Sequence, residues 1–321
     1  MKYNYVIFAT DDDYYKVSYN ELLKNKGVKY IGSELDSNNK LLTFFYKMHT
    51  SPLTNKFVNL PFKNIWNGKM FTNTFEDNKP ICFIFFPGRR KEYDNGLMNY
   101  LKKKYKDSKF VLYYQDLIGK SKMPEIELFK NEFDLILSFD HSDVLKYSLN
   151  YYPLVYSEID VPNVVTEESD VYFVGKAKNR LEDIRAVHKL LKNAGLKCDF
   201  HVTGVAAEDI RDDGIIYNMP VSYMENLQRI KMTKCMLEIM QKGGHGYTLR
   251  YCEAIMYDKK IITNNPEIKK APFYSEQRIQ VFENPHEITS EFVLEGEERV
   301  DYGYKDKLSP KKLLDFLDNK L

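Results

Sequence analysis

Cysteine is scarce in this chain and scattered. Cys82, Cys198, Cys235 and Cys252 form no C-x-x-C pair. Three of the four fall inside apolar runs, so they read as buried free thiols of a reducing cytoplasm and not as disulfides or zinc ligands. The six histidines show no H-E-x-x-H or other close metal spacing, and no metal site is expected. An excess of either charge is also missing. Lys and Arg number 47 against 46 Asp and Glu, so bulk electrostatics imply neither nucleic acid nor a strongly acidic partner. No apolar run approaches the roughly 18–20 residues of a membrane span. Residues 1–10 read as a strand followed by Asp11, Asp12 and Asp13, not as a signal peptide. A soluble, cytoplasmic protein is expected, one that still has the option of peripheral contact with a membrane surface. Internal repeats and low-complexity tracts are absent as well.

Core material, by contrast, is plentiful. Hydrophobic residues make up 43% of the 321 positions, with 25 Tyr and 20 Phe, enough for two domains of ordinary size. Residues 5–9, YVIFA, form the near-continuous apolar run expected of a parallel strand covered on both faces. Further strands are expected at 81–86 (ICFIFF), 110–114 and 133–139, with helices near 17–24, over 97–105 and through Leu145 and Leu149. Residues 41–46 fit either strand or helix. This alternation argues for a doubly wound parallel sheet, in which ligands bind at the carboxyl ends of strands. Those ends carry Asp12 and Asp13, then Arg89 and Arg90, then Asp116, then Asp140. A carboxylate there can act as a base, bind sugar hydroxyls or cap the next helix. The two arginines can hold an acidic acceptor or donor phosphates, or lie in a solvated loop.

Residues 157–168, SEIDVPNVVTEE, read as a polar linker. A second series follows, with strands expected at 170–174, 198–202, 215–218, 236–240, 260–263 and 279–282. Gly175, Lys178 and Arg180 come directly after its first strand. The most informative stretch is 235–265, CMLEIMQKGGHGYTLRYCEAIMYDKKIITNN. Gly243, Gly244, His245, Gly246 and Tyr247 lead to Thr248, after which Leu249, Cys252, Ile255 and Met256 recur at helical steps. A glycine loop opening a helix lets backbone N–H groups approach an anion, and the helix dipole favours negative charge there. Thr248 can cap and donate, and Arg250 adds a fork of donors suited to phosphate. Glu253, one and a half turns into the helix, suits acceptance from ribose hydroxyls. The spacing is neither G-x-G-x-x-G nor a P-loop, and three glycines also serve a plain turn. Ser309-Pro310 marks the start of a terminal helix with Leu313, Leu314, Phe316 and Leu317 apolar.

The run GYTLRYCEAI at 246–255, followed by KKIITNN at 259–265, resembles the donor-binding segment of GT-B glycosyltransferases. It is most similar to bacterial enzymes that build capsular and lipopolysaccharide glycans. The resemblance is most specific over about residues 170–265 and weaker over the N-terminal half. It implies an α/β fold of two Rossmann-like doubly wound domains facing a cleft. Residues 1–160 would bind the acceptor and 161–300 the nucleotide-sugar donor, with a helix in 301–321 crossing back to the first domain. In that group one Glu opens the helix and a second, eight residues on, reaches the ribose. Glu253 matches the second, whereas His245 stands at the first, a departure from the paired pattern.

The resemblance further implies that Gly175, Lys178 and Arg180 face the donor diphosphate together with the loop from Gly243 to Thr248 and Arg250. Tyr217, Met219 and Tyr223 fall where the family packs on the nucleobase. Helix dipoles and basic side chains would stabilise the leaving diphosphate, with no metal and no other cofactor. If the reaction inverts, the base is sought in Asp13, Asp12, Asp116 and Asp140, in that order. The partners implied are a nucleotide-sugar donor and a glycan or lipid-linked acceptor. Other readings of the same residues are a non-catalytic nucleotide-sugar-binding module, a polyol-phosphate transferase of the teichoic-acid type, a metal-binding D-x-D in the first acidic run, and a phospho-receiver-like regulator, for which the chain is too long.

Overall fold

The computed structural model describes residues 1–32, 39–51, 63–87, 96–120, 126, 130–162, 167–241, 246–296 and 300–321. The chain divides into two compact units, Met1–Leu154 with Pro310–Leu321, and Val155–Ser309. Of the terminal segment, residues 301–309 thus belong to the second unit and the rest to the first. The division also separates charge. The first unit holds 26 Lys and Arg against 20 Asp and Glu, and the second 21 against 26. A near-neutral chain is therefore one basic and one acidic half.

Each unit is built on a parallel sheet of six strands among the described residues. In the first these are β1 (Asn4–Phe8), β2 (Val28–Ile31), β3 (Ile81–Phe85), β4 (Lys109–Tyr114), β5 (Leu135–Ser138) and β6 (Asn150–Tyr151). They lie in the order β2-β1-β3-β4-β5-β6, every pairing parallel. β1 and β3 are buried at every position, as a strand covered on both faces must be. On one face Phe8, Phe83, Phe85 and Phe110 stack, with Phe8 and Phe85 4.9 Å apart at ring centres. Each such side chain contributes about 1.5–3 kcal/mol by leaving water. Tyr5 points to the other face, where its hydroxyl donates to the Leu314 carbonyl at 3.1 Å and to Asp318 Oδ1 at 2.5 Å. That anchors the helix Pro310–Lys320, which buries Leu313, Leu314 and Leu317 in the same unit.

The second sheet holds β7 (Ser169–Lys176), β8 (Cys198–Thr203), β9 (Ile216–Tyr217), β10 (Thr233–Glu238), β11 (Lys260–Thr263) and β12 (Ile279–Val281). Their order is β12-β11-β10-β7-β8-β9, again all parallel. The chain starts at the centre, fills one side through β8 and β9, then returns to β10 beside β7 and fills the other. Connections therefore leave β7 and β10 in opposite directions, which opens a crevice at their carboxyl ends. Both units are Rossmann-like and doubly wound.

Four local differences from the sequence reading have physical causes. β10 begins at Thr233 and not at Met236 because the helix Tyr223–Met232 runs into it without a loop; Thr233 is both cap and first strand residue. The first helix is Asp13–Ser18, ended by the fully buried Tyr19 ahead of a 3-10 turn at Asn20–Leu22. β6 was not expected, because two residues carry no periodicity; it pairs Asn150 and Tyr151 with Leu137 and Ser138. Leu145 is 82% exposed, since the helix His141–Tyr147 stops at Ser148 in the left-handed region and turns Asp143, Val144 and Tyr147 inward. Residues 41–46 are helical, within Lys40–Thr50. All four cysteines are free thiols. Among the described residues no helix is long and apolar enough to cross a membrane, and no group of three or more His, Cys, Asp or Glu is placed to hold a metal ion.

Candidate functional site

Gly175 is the next-to-last residue of β7, at the crevice, and two guanidinium groups converge on it. A Cβ at Gly175 would lie 3.0 Å from Arg180 Nη2 and 3.1 Å from Arg250 Nη2, so a side chain there would push both groups away. Arg180 begins the helix Leu181–Asn193 after β7, and Arg250 lies in the first turn of Leu249–Met256 after β10. The reversal of strand order is what brings these two helix starts side by side. Arg180 donates to the carbonyls of Ile239 and Lys176, and Arg250 to that of Val174. Both rest on the Phe173 ring, 5.6 Å and 5.2 Å from its centre. Among the described residues neither makes a salt bridge; backbone oxygens and an aromatic face hold them. Burial, then the Arg250 charge, pulls Arg180 down to about 10 against the opposing pull of Glu238, so Arg180 stays cationic at neutral pH. Glu238 and Glu253 lie within electrostatic reach, yet among the described residues no carboxylate is bonded to either guanidinium, which leaves donors that an anion can take.

Glu238, at the end of β10, is fully buried and was not singled out from the sequence, where it lies inside an apolar run. Three hydroxyls satisfy it: Thr248 donates to Oε1, and Tyr251 and Thr263 donate to Oε2, the last at 2.8 Å. Thr248 occupies the cap position of its helix, yet its proton goes to Glu238 and not to the helix N–H groups. Asn265 extends the network, donating to the Gly246 carbonyl at 3.0 Å. Gly246 takes the left-handed φ of 76°, and its N–H donates to Glu267 Oε2 at 3.3 Å. Glu238 thus fixes where the loop enters the helix and how Arg250 is presented.

Glu253 is the second buried carboxylate, 4% exposed. Its Oε1 accepts from Tyr223 OH at 3.0 Å and Asn226 Nδ2 at 3.1 Å. Tyr156 lies 2.7 Å from Tyr223, hydroxyl to hydroxyl, and Tyr172 donates to Asn226 at 3.1 Å. Oε2 of Glu253 accepts no hydrogen bond among the described residues. Burial raises its carboxyl to about 7, opposed by the Arg250 charge and by the bonds from Tyr223 and Asn226. Tyr156, Tyr172 and Asn226 carry no motif; only their tertiary placement identifies them.

The other expected residues divide clearly. Lys178 is exposed with a φ of 45°. Tyr247 is half-buried, edge-on to Phe273. Gly243, Gly244, His245, Arg89 and Arg90 lie outside the described residues. Tyr217 is on edge strand β9, held by Arg185 at 3.0 Å and Asp213 at 2.7 Å, and Met219 is 65% exposed; neither joins Tyr223 at Glu253. In the first unit, Asp12 accepts from Thr10 at 2.6 Å, Asp13 pairs with Lys16 at 3.7 Å, and Asp116 accepts from the Leu117 N–H at 2.8 Å. Burial, then the charges of Asp12 and Asp116, raise the Tyr15 hydroxyl, so those two carboxylates share one neighbourhood. Asp140, whose charge reaches Asp143 together with that of Asp116, is 3% exposed and caps the helix His141–Tyr147 through the Asp143 N–H at 2.9 Å.

No protein-family model matches the chain, and no curated protein matches it in sequence. Solved structures do match in shape. A UDP-forming α,α-trehalose-phosphate synthase from Burkholderia xenovorans is similar at a TM-score of 0.52 and 10% identity, covering 99% of this chain and 98% of that one. The trehalose-6-phosphate synthase OtsA follows at 0.49 and 10%, covering 99% and 97%. T4 phage BGT in complex with UDP-glucose gives 0.46 and 12%, covering 98% and 91%. At such identities the likeness speaks for the fold: this chain has the two-unit Rossmann-like α/β fold of GT-B glycosyltransferases.

Proposed function

We propose that this protein is a glycosyltransferase that uses a nucleotide-sugar donor. The observation that carries the reading is the pair of guanidiniums, Arg180 and Arg250, gathered at Gly175 on the switch point of the second sheet with no carboxylate bonded to either. The diphosphate of the donor supplies an anion for these guanidiniums to bond directly, and the two helix starts add their dipoles. As the sugar leaves, charge builds on the β-phosphate, where fixed cations stabilise it without reorganising. This chemistry needs no metal. Glu253, with Oε1 engaged by Tyr223 and Asn226, offers Oε2 as the acceptor for the ribose hydroxyls on this reading, and Glu238 holds Thr248 at the helix start. The fold shared with a UDP-forming synthase supports a nucleoside diphosphate as leaving group.

The acceptor binds the first unit, where Asp13, Asp12, Asp116 and Asp140 follow strand ends as candidate bases, with Asp12 and Asp116 near Tyr15 and Asp140 engaged as a helix cap. Arg89 and Arg90 belong to the same edge by sequence. The biological setting we assign is synthesis of bacterial surface polysaccharide in the cytoplasm, with a glycan or lipid-linked acceptor. Purified protein incubated with UDP-, GDP-, CMP- and dTDP-sugars should release nucleotide from at least one. Arg250→Ala should abolish that release while leaving the melting temperature within a few degrees. Release that is unchanged in this variant removes Arg250 from the site, and no release from any sugar nucleotide counts against transfer.

A further inference from the structure

The helix Lys40–Thr50 in the first unit presents an apolar stripe to solvent. Leu41 is 65% exposed, Phe44 60% and Phe45 40%, and Met48 completes the i, i+3, i+4, i+7 pattern of one helical face. The opposite face is the one that packs. Tyr46 is buried, its ring 6.1 Å from that of Trp66 and its hydroxyl 3.8 Å from Met70 Sδ, and the His49 ring lies 5.3 Å from Trp66. The stripe is therefore the helix's outer surface, held in place by its inner one. Lys40 and Lys47 lie one above the other along one border of the stripe, both exposed. The helix carries no Asp or Glu, and its unit is the basic half of the chain, with 26 Lys and Arg against 20 Asp and Glu.

We infer that this face docks the first unit on an anionic bilayer surface. Eleven residues are too short to span a bilayer, but apolar side chains on one face with lysines at the border suit a helix lying in the interface plane. Leu41, Phe44, Phe45 and Met48 enter the boundary between headgroups and acyl chains, and Lys40 and Lys47 meet the lipid phosphates. A single short stripe gives weak, reversible attachment that depends on anionic lipid and falls with salt. The inference does not depend on the transfer reaction and stands or falls separately from it.

Co-sedimentation of the full chain with vesicles tests it, using phosphatidylcholine alone and phosphatidylcholine mixed with phosphatidylglycerol. The wild type should pellet with the mixed vesicles and several-fold less with the neutral ones. Phe44→Ser combined with Phe45→Ser should reduce pelleting about tenfold. Lys40→Glu with Lys47→Glu should remove the preference for anionic lipid. The fluorescence of Trp66, the one tryptophan, checks that each variant remains folded; the lysine pair, being fully surface, serves if the phenylalanine pair unfolds. Equal pelleting of wild type and variants, or none with either vesicle, overturns the inference. So does a wild-type dimer in size-exclusion chromatography that both variant pairs dissociate, which would make the stripe a contact between copies.

Discussion

At Glu253 two demands meet. The carboxylate is buried among Tyr223, Asn226, Tyr172 and Tyr156, and burial raises it to about 7 from an ordinary 4.5. The sign of the stability effect follows from proton binding. Below about 4.5 both folded and unfolded chains carry the proton, and the group is neutral to stability. Between 4.5 and 7 only the folded chain keeps it, so stability declines as pH rises through that window and levels off above it. The full loss is on the order of 3 kcal/mol. Glu253→Gln retains an oxygen that can accept from both Tyr223 and Asn226 but has no proton to exchange. Urea unfolding of the second unit should then lose its slope across that window; an unchanged slope would assign it to another group. At Glu238 the hydroxyls of Thr248, Tyr251 and Thr263 all donate to the buried carboxylate. Glu238→Ala strands those three donors at roughly 1 kcal/mol or more each. Equilibrium unfolding should show a loss of about 3–5 kcal/mol, whereas a loss below about 1 kcal/mol would mean that water replaces the carboxylate.

Among the elements, the terminal helix Pro310–Lys320 belongs to the first unit, with Leu313 and Leu317 fully buried and Tyr5 bonded to it from β1. Leu317→Ala should cost the first unit about 2–5 kcal/mol, read as an earlier loss of Trp66 fluorescence in denaturant. A shift confined to probes of the second unit would contradict that assignment. Strong runs such as YVIFA and ICFIFF were legible as strands because burial on both faces leaves no polar position to confuse the period. The paired residues of β6 and the start of β10 were not, since two residues have no period and a helix that passes straight into a strand leaves no turn residue. Arg180 and Arg250 stood out in the sequence because charge soon after a glycine or at a helix start is conspicuous, and Glu253 through the resemblance of its segment; the structure places the two guanidiniums together at Gly175. Glu238 was hidden by its apolar neighbours. Asp140 has the composition of a base and the position of a cap, and only the Asp143 N–H against its carboxylate separates the two.

For the molecule as a whole, a charge sum of +1 conceals a basic unit and an acidic one. The diphosphate site we propose lies in the acidic unit, so on that reading the local geometry of two guanidiniums, and not the net field, attracts the anion. That is the central claim, and calorimetric titration with nucleoside diphosphates tests it most directly. Wild-type protein should bind at least one of UDP, GDP, CDP and dTDP, with inorganic pyrophosphate competing. Arg180→Ala and Arg250→Ala should each weaken binding about tenfold or more, the loss of a charge-assisted hydrogen bond. If no nucleoside diphosphate binds, or if both variants bind as tightly as wild type, the switch point of the second sheet is not the donor site.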